Sequence, residues 1–346
     1  MSYPDAPAPT RPAGTPVRRP TGGNAASFYL TNEFGLIALI VIFAVAFGLA
    51  ADGFLSSFNL FTLGRIAAVN IMIGLSMMVV IVTGGLNLAV GAIGVCAAMT
   101  CGYLIQVVGL PWPVAIVAAV AMGGALGFIN GWTSVRTGLH SFIITLATMS
   151  IFFGVMIFLT RAEAYRELPP IFAAFGRAKL LGLFSPLLLI SLLAALLLGY
   201  LYNLTAVGRE MLAAGANPKA AEMSGIKVGR MFIYCHILSG MLAGSAALML
   251  VARNGAAIPS MAGQLGQDWL LIAFLGPVLG GTLLNGGKAS VLGTCLGAFL
   301  VTMLTSGLLL LQLGDFWIQS FLGLLLLAAV LMDKVRRTYL ARRNMA

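Results

Sequence analysis

The side chains that could carry out chemistry in this 346-residue chain are few and scattered. His140 and His236 each lack a second metal ligand at helical spacing, so no metal site is expected. No Ser/His/Asp set and no pair of carboxylates converges, and the chain is therefore predicted not to be an enzyme. The cysteines lie in apolar runs without metal or disulfide spacing, and we expect buried free thiols at Cys96, Cys101, Cys235 and Cys295.

One segment, GTLLNGGKA from Gly281 to Ala289, imitates a phosphate-binding loop. Its first glycine stands one position too early, and Ala289 occupies the place of the Ser or Thr that binds magnesium. The segment also lies between two apolar runs rather than after a strand. We therefore expect no cofactor on this chain, and if the chain transports a solute actively, the energy must come from another subunit.

The composition indicates a protein of the lipid bilayer. Hydrophobic residues make up 60% of the chain and charged residues 9%, with a mean hydropathy of +1.00, whereas soluble domains carry about 25% charged residues. The predicted fold class is all-α, a polytopic membrane protein with about ten transmembrane helices, some broken by Gly, and no soluble domain. The net charge of +10 lies in loops and tails, which fits membrane orientation rather than nucleic-acid binding.

Ten apolar segments are long enough to span a bilayer, since about 20 residues cross a 30 Å core. A count of nine stays open, because the Gly84-Gly85 break is the least certain boundary. The polar stretch 162–185 leaves room for a short interfacial helix. The ten segments lie near 35–51, 60–82, 86–108, 113–135, 141–160, 186–203, 230–252, 268–285, 289–311 and 316–332.

Ten spans put both termini on one side of the membrane. Placing that side in the cytoplasm puts most of the 20 basic residues inside. We accordingly predict a disordered basic cytoplasmic tail over 1–30, a transmembrane domain over 31–334 with a cytoplasmic loop at 204–230, and a basic cytoplasmic tail over 335–346.

The predicted spans contain almost no ionisable residues. Arg65, Asp268 and Asp315 stand at predicted span ends. A proton- or ion-driven carrier usually keeps a carboxylate or histidine in its membrane core. This pattern argues against an autonomous ion-coupled carrier or channel and favours an external source of energy.

The interval from Gly208 to Arg230 is the longest polar stretch between apolar segments. Asn217 suits a helix N-cap, Pro218 the first helical position, and Gly225 the residue just past the end. Such a two-turn helix is not stable alone in water. It is either one turn of helix in an ordinary cytoplasmic loop or a docking helix that receives force from another protein.

Two glycine-rich interruptions occur in corresponding places of the two halves, Thr83–Gly91 and Gly276–Lys288. Broken helices at matching positions mark transport sites, because the freed backbone groups must line a cavity or be buried in protein. Tight turns between spans explain the same residues equally well. Small residues four apart predict close helix packing at Gly123/Gly127, Gly127/Gly131, Gly240/Gly244 and Gly293/Gly297.

Five segments in order resemble the membrane permease of bacterial monosaccharide ABC importers, of the ribose, xylose and galactose type. The resemblance runs from about Gly53 to Asp333. Single motifs are weak, but five at the right spacing are specific. They are Phe54-Leu55-Ser56 with Asn59-Leu60; TGGLNLAVG at 83–91; Asn130-Gly131 with FIITLATM at 142–149; Gly208-Arg209 through Ile226; and Leu279 through Thr294.

The resemblance implies a bacterial inner-membrane subunit that works with an ABC ATP-binding subunit, a periplasmic sugar-binding protein and a second permease copy. It implies that Asn217–Ile226 is the coupling helix. The residues it assigns to ATPase coupling are Gly208, Arg209, Gly215, Asn217, Ala220, Ala221, Ser224, Gly225 and Ile226. Our hypotheses for the substrate pathway are Thr83, Gly84, Gly85, Asn87, Asn130, Thr145, Gly280, Gly281 and Thr282.

The chain departs from the family pattern in four places. Asn87 replaces an acidic residue, Ala89 a serine and Ser141 a proline, while Pro277 interrupts a span. An amide still offers a donor and an acceptor to a hydroxyl group. We therefore expect import of a monosaccharide or polyol. A nucleoside, an autoinducer or a branched-chain amino acid stays open as the solute, as does a non-transporting membrane scaffold.

Overall fold

The computed structural model describes residues 32–180 and 184–343, and the predicted N-terminal tail lies outside them. In this part the chain is nearly all helical. The helices are α1 Asn32–Ala50, α2 Ser57–Ile81, α3 Val90–Gln106, α4 Trp112–Thr137, α5 Ser141–Thr160, α6 Pro170–Arg177, α7 Pro186–Leu204, α8 Ala206–Ala216, α9 Pro218–Met223, α10 Val228–Asn254, α11 Asp268–Leu279, α12 Val291–Leu310 and α13 Asp315–Arg343.

The long helices run between two ends of the molecule, which we name the α9 end and the α6 end after the short helix at each. At the α9 end, Ser290 donates a hydrogen bond of 3.0 Å to Glu33 and so joins the starts of α12 and α1. At the α6 end, the Glu167 amide donates to the Gln106 side chain at 3.1 Å. The predicted short helix in the 162–185 stretch is confirmed as α6.

Helix α10 lies at the centre and packs on α2, α3 and α4. Glycines bring its backbone against α4: a methyl group at Gly123 would overlap the Gly240 carbonyl oxygen, and one at Gly127 would overlap the His236 carbonyl oxygen. The predicted close packing of these small residues is confirmed. Because α10 packs this closely on its neighbours, the residue of α10 that a neighbour contacts gives the position of that neighbour between the α9 end and the α6 end.

Seven helices in the described part are long and apolar enough to cross a membrane, namely α1, α2, α4, α5, α7, α10 and α12. Each of the ten predicted segments contains a helix, but the count of ten spans is not confirmed. Helices α3 and α11 are short because each begins partway through the thickness of the molecule, after an irregular segment. Helix α13 has an apolar part of only Phe316–Ala328.

Many apolar side chains of α1, α5 and α7 point outward. Leu49, Phe158 and Leu196 are more than half exposed. A surface of this kind is unfavourable in water and suits contact with lipid chains.

Candidate functional site

Helix α9 has the caps that its sequence predicts. The Asn217 side chain accepts a hydrogen bond of 3.1 Å from the Ala220 amide, and Pro218 opens the helix. Gly225 has a φ of +84°. The Gly225 amide donates to the Glu222 carbonyl at 2.9 Å, and the Ile226 amide to the Ala221 carbonyl at 3.0 Å. This pair of bonds is a Schellman motif, which closes the helix after two turns.

The two sides of α9 differ in exposure. Ala221 is buried against the chain itself, whereas Met223 is 91% exposed. Asn217, Ala220, Ser224, Gly225 and Arg209 are also exposed, and Ile226 is half-buried. An extended apolar side chain at the tip of a short exposed helix is available to a partner. Ala221, which the sequence predicts as a contact residue, therefore faces the chain itself, whereas Met223, which the sequence did not single out, faces outward.

Helix α8, which the sequence reasoning took for loop, carries α9 toward the core. The Thr205 side chain caps α8 by accepting from the Gly208 amide at 3.1 Å. A methyl group at Gly208 would overlap the Leu201 carbonyl oxygen at the end of α7. Gly208 therefore holds α8 close against the end of α7. Helices α7, α8 and α9 form one bent unit, which we call the α9 arm.

Backbones from three segments meet without intervening side chains at the α9 end. We call this the glycine junction and define it as Val82, Gly84, Gly215, Gly286 and Gly287. The Gly287 amide donates to the Val82 carbonyl at 2.8 Å. A methyl group at Gly215 would overlap that same carbonyl oxygen and would lie 2.7 Å from the Gly287 nitrogen. The arm bearing α9 thus contacts both the end of α2 and the loop before α12.

The first glycine-rich interruption is a real break between α2 and α3. Its backbone is satisfied by side chains: the Leu86 amide donates to the Ser141 hydroxyl at 2.8 Å, and the Leu88 amide to the Thr145 hydroxyl at 3.0 Å. Asn87 accepts from the Ala89 amide at 3.1 Å and donates to the Ser239 hydroxyl at 3.0 Å. These side chains replace the missing helical hydrogen bonds.

The predicted pathway residues near this break are mostly buried. Asn87, Asn130 and Thr145 have no exposed surface. Thr83 is half-buried and donates to the Val80 carbonyl at 3.0 Å. The side-chain nitrogen and the side-chain oxygen of Asn130 both lack a hydrogen-bond partner within the described residues. In this conformation Asn87 and Thr145 support the break, and a pathway role for them stays a prediction.

The second predicted interruption is a turn at the α9 end rather than a break within a span. Gly280 packs against the backbone of Gly293, where a methyl group would lie 2.5 Å from the Thr294 nitrogen. Gly281 has a φ of +79°, and the Thr282 hydroxyl accepts from the Ser290 amide at 3.3 Å. This geometry gives these residues a role in packing α11 on α12, and their place in a pathway stays a prediction.

The partner of the first break lies instead at 255–267, between α10 and α11. This segment folds inward from the α6 end, and a methyl group at Gly91 would overlap the Gly266 carbonyl oxygen. The starts of α3 and α11 therefore touch. Glycines at both positions permit this approach, since any side chain would separate the two backbones.

The depth of this contact follows from α10. The Trp269 ring covers Gly94, and a methyl group at Gly94 would lie 3.2 Å from the carbonyl oxygen of Ala243, near the middle of the 27-residue α10. Helix α11 thus begins at half-height, with Asp268 as its first residue. Asp268 therefore stands at a helix end, as predicted, but that end lies near the middle of α10 rather than at an end of the molecule, because the 255–267 segment is re-entrant and not an external loop.

A family model described as "Branched-chain amino acid transport system / permease component" matches residues 59–331, well over half of the chain. The chain belongs to this permease family. No solved structure matches the chain.

Curated relatives cover most of the permease. It is 33% identical over 305 residues to the D-allose transport system permease protein AlsC of Escherichia coli K12, which covers 88% of this chain and 92% of the relative. It is 35% identical over 303 residues to the ribose import permease protein RbsC of Bacillus subtilis 168, covering 87% and 91%. It is 32% identical over 306 residues to the autoinducer 2 import system permease protein LsrD of Salmonella paratyphi B, covering 86% and 90%.

Two cavities of the permease lie away from the contact of the two breaks. One of about 390 Å³ lies under α6 and has an apolar lining that includes Trp112, Phe172 and Leu187. It offers few hydrogen bonds to a polar solute. Another, of about 250 Å³, opens at the α9 end beside Gly84 and Ser141.

Proposed function

We propose that this permease forms the translocation pathway of an ATP-driven importer for a monosaccharide or similar polyol. A partner ABC ATP-binding subunit hydrolyses the ATP and docks on α9. A periplasmic sugar-binding protein delivers the solute, and a second permease copy, the same chain or a paralogue, completes the pathway. The permease itself catalyses no reaction and lies in the bacterial inner membrane.

The observation that carries the proposal is the continuity from α9 to the glycine junction. A push on Met223 passes through α8 to Gly215, and from there to the end of α2 and the loop before α12. Contacts between backbones transmit displacement with little loss, because closely packed interiors compress little. Two conformations of the pathway would then be selected by the nucleotide state of the partner.

The proposed docking of the ATP-binding subunit on α9 also determines the orientation of the permease in the membrane. A partner that hydrolyses ATP lies in the cytoplasm, so the α9 end faces the cytoplasm and the α6 end faces the periplasm. Helix α1 begins at the α9 end, where Glu33 accepts a hydrogen bond from Ser290, and we accordingly propose that both termini lie in the cytoplasm. Lys219 lies in α9, and Lys227 and Arg230 follow it, which agrees with the excess of basic residues on that side.

The relatives named for allose and ribose favour a sugar as the solute. The relative named for autoinducer 2 and the family description supply the second candidate, a non-sugar solute such as a branched-chain amino acid. The scarcity of ionisable residues within the predicted spans does not exclude ion coupling, because the carboxylate of Asp268 lies near the middle of α10. Family membership and the α9 arm still favour a nucleotide-driven importer.

Uptake by the assembled importer distinguishes the solutes. Cells that lack their own sugar importers would express this permease with its ATP-binding and solute-binding subunits and receive labelled D-ribose, D-allose, D-fructose or L-leucine. We expect uptake of at least one sugar and none of leucine. Uptake of leucine alone would refute the sugar assignment, and uptake that continues without the ATP-binding subunit would refute the importer assignment.

A further inference from the structure

The re-entrant segment places polar side chains where a membrane protein normally has none. Gln264, Gln267 and Asp268 are exposed, while Gly266 and Trp269 beside them are buried. All five residues lie near half the height of α10, as the contact of Trp269 with Gly94 fixes. The exposed side of this segment is therefore polar at the depth of the bilayer core.

None of these three exposed side chains has a hydrogen-bond or ion-pair partner among the described residues. The Asp268 amide donates to the Ala262 carbonyl at 3.2 Å, but the carboxylate lies over Gly263 without accepting a hydrogen bond. A carboxylate facing lipid at this depth is costly, and such residues line water-filled paths or bind a ligand instead. The polar side of the segment therefore faces the solute pathway.

The chemistry of the set selects the class of ligand. A carboxylate accepts several hydrogen bonds, and each carboxamide both donates and accepts. Adjacent hydroxyl groups of a sugar supply donors to Asp268 and can pair with Gln264 and Gln267. Residues 255–279 contain no Lys, Arg or His, so no cation on this segment offsets the charge of Asp268. A solute with its own carboxylate would be repelled.

We propose that Gln264, Gln267 and Asp268 form a hydroxyl-binding station for an uncharged polyol at the middle of the pathway. This inference rests on the proposed function and deepens it. The station lies where the starts of α3 and α11 touch, so a movement of either helix changes the position of the carboxylate. Such a site would be formed in one conformation and opened in another.

The test uses the complete importer in proteoliposomes, with Asp268→Asn and Asp268→Leu. Asp268→Asn keeps the shape and removes the charge, and Asp52→Asn, an exposed carboxylate in the loop between α1 and α2, is the matched control. Uptake of D-ribose, D-allose and D-fructose is measured beside ATP hydrolysis stimulated by the solute-binding protein. For a transported D-ribose, 2-deoxy-D-ribose is added as a second substrate.

We expect Asp268→Asn to lower sugar uptake roughly ten- to hundredfold, because the charged hydrogen bonds to the hydroxyl groups of the sugar are lost. Asp268→Leu should lower uptake further. Discrimination between D-ribose and its deoxy analogue should fall, which a merely structural residue would not cause. ATP hydrolysis and membrane insertion should match those of the control.

Uptake within twofold of the control in both Asp268 variants would overturn the station while leaving the importer assignment intact. Equal loss of uptake and ATP hydrolysis would assign Asp268 to the folding of α11 and would also overturn it. Uptake driven by a proton gradient without ATP would make Asp268 a proton site. An unmodified importer that transports none of the sugars would refute the proposed function, and the station with it.

Discussion

The substitution Gly215→Ala tests whether the glycine junction transmits movement. The new methyl group overlaps the Val82 carbonyl oxygen and lies 2.7 Å from the Gly287 nitrogen, so α8 must move away from α2. Overpacking of this kind costs about 1–3 kcal/mol, and loss of the bond from Gly287 to Val82 costs about 1 kcal/mol more. Alanine regains about 1 kcal/mol of helix propensity in α8. The net cost is about 2 kcal/mol, or roughly a thirtyfold change in an equilibrium.

The expected result is an uncoupled importer. The exposed surface of α9 does not change, so the ATP-binding subunit should still copurify and hydrolyse ATP. Sugar uptake per ATP hydrolysed should fall at least tenfold, measured in proteoliposomes with labelled sugar and phosphate release. Gly199→Ala in α7 is the control, because a methyl group there meets no atom within 4 Å.

Two outcomes would refute the reasoning. If Gly215→Ala coupled uptake to hydrolysis as well as Gly199→Ala does, the junction would not be the route of movement. If Gly215→Ala instead lost the ATP-binding subunit while uptake per bound subunit stayed normal, Gly215 would shape the docking surface only.

Three further predictions concern single positions. Met223→Asp should weaken copurification of the ATP-binding subunit about tenfold or more, because burying a Met side chain is worth about 1.5–3 kcal/mol. Met223→Leu should keep the binding, and equal binding of both variants would contradict docking at α9. Met223→Cys should react with an impermeant maleimide only in inside-out vesicles, because the four native cysteines are buried and should not react. Labelling in intact spheroplasts would show the opposite orientation of the permease. Gly91→Ala should reduce the yield of monodisperse protein on size-exclusion chromatography, because its methyl group overlaps Gly266, while Gly154→Ala, in open space, should not; equal yields would show that the two breaks do not touch.

Local signals predicted α9 correctly. Asn217, Pro218 and Gly225 determine caps through hydrogen bonds within a few residues, so their pattern needs no tertiary structure. Which residue of α9 faces outward could not be predicted in the same way. Ala221 is buried and Met223 exposed because of how α8 places the short helix on the molecule.

The first break was predictable and the second was not. Gly84 and Gly85 interrupt an apolar run, which is visible in hydropathy. The 255–267 segment is polar and follows a long apolar helix, so its composition is that of an external loop. Its depth is set by the contact of Gly91 with Gly266, residues 175 positions apart, which no local pattern records. For the same reason the sequence placed Asp268 correctly at a helix end but gave no sign that this end lies near the middle of α10.

Two departures from the family pattern are explained by hydrogen bonds between residues that are distant in the sequence. Ser141 accepts from the Leu86 amide, a bond that proline at this position could not make. Asn87 donates to Ser239, whereas an acidic residue there would accept. The break is therefore held by a hydrogen-bond network that differs in detail from the one the family motif implies.

The source of energy is the most direct test of the account. Proteoliposomes would hold the permease either alone or with its ATP-binding subunit, and the solute-binding protein and labelled sugar would be added outside with ATP inside. The account predicts accumulation against a gradient only when the ATP-binding subunit and ATP are both present. Accumulation by the permease alone would contradict it.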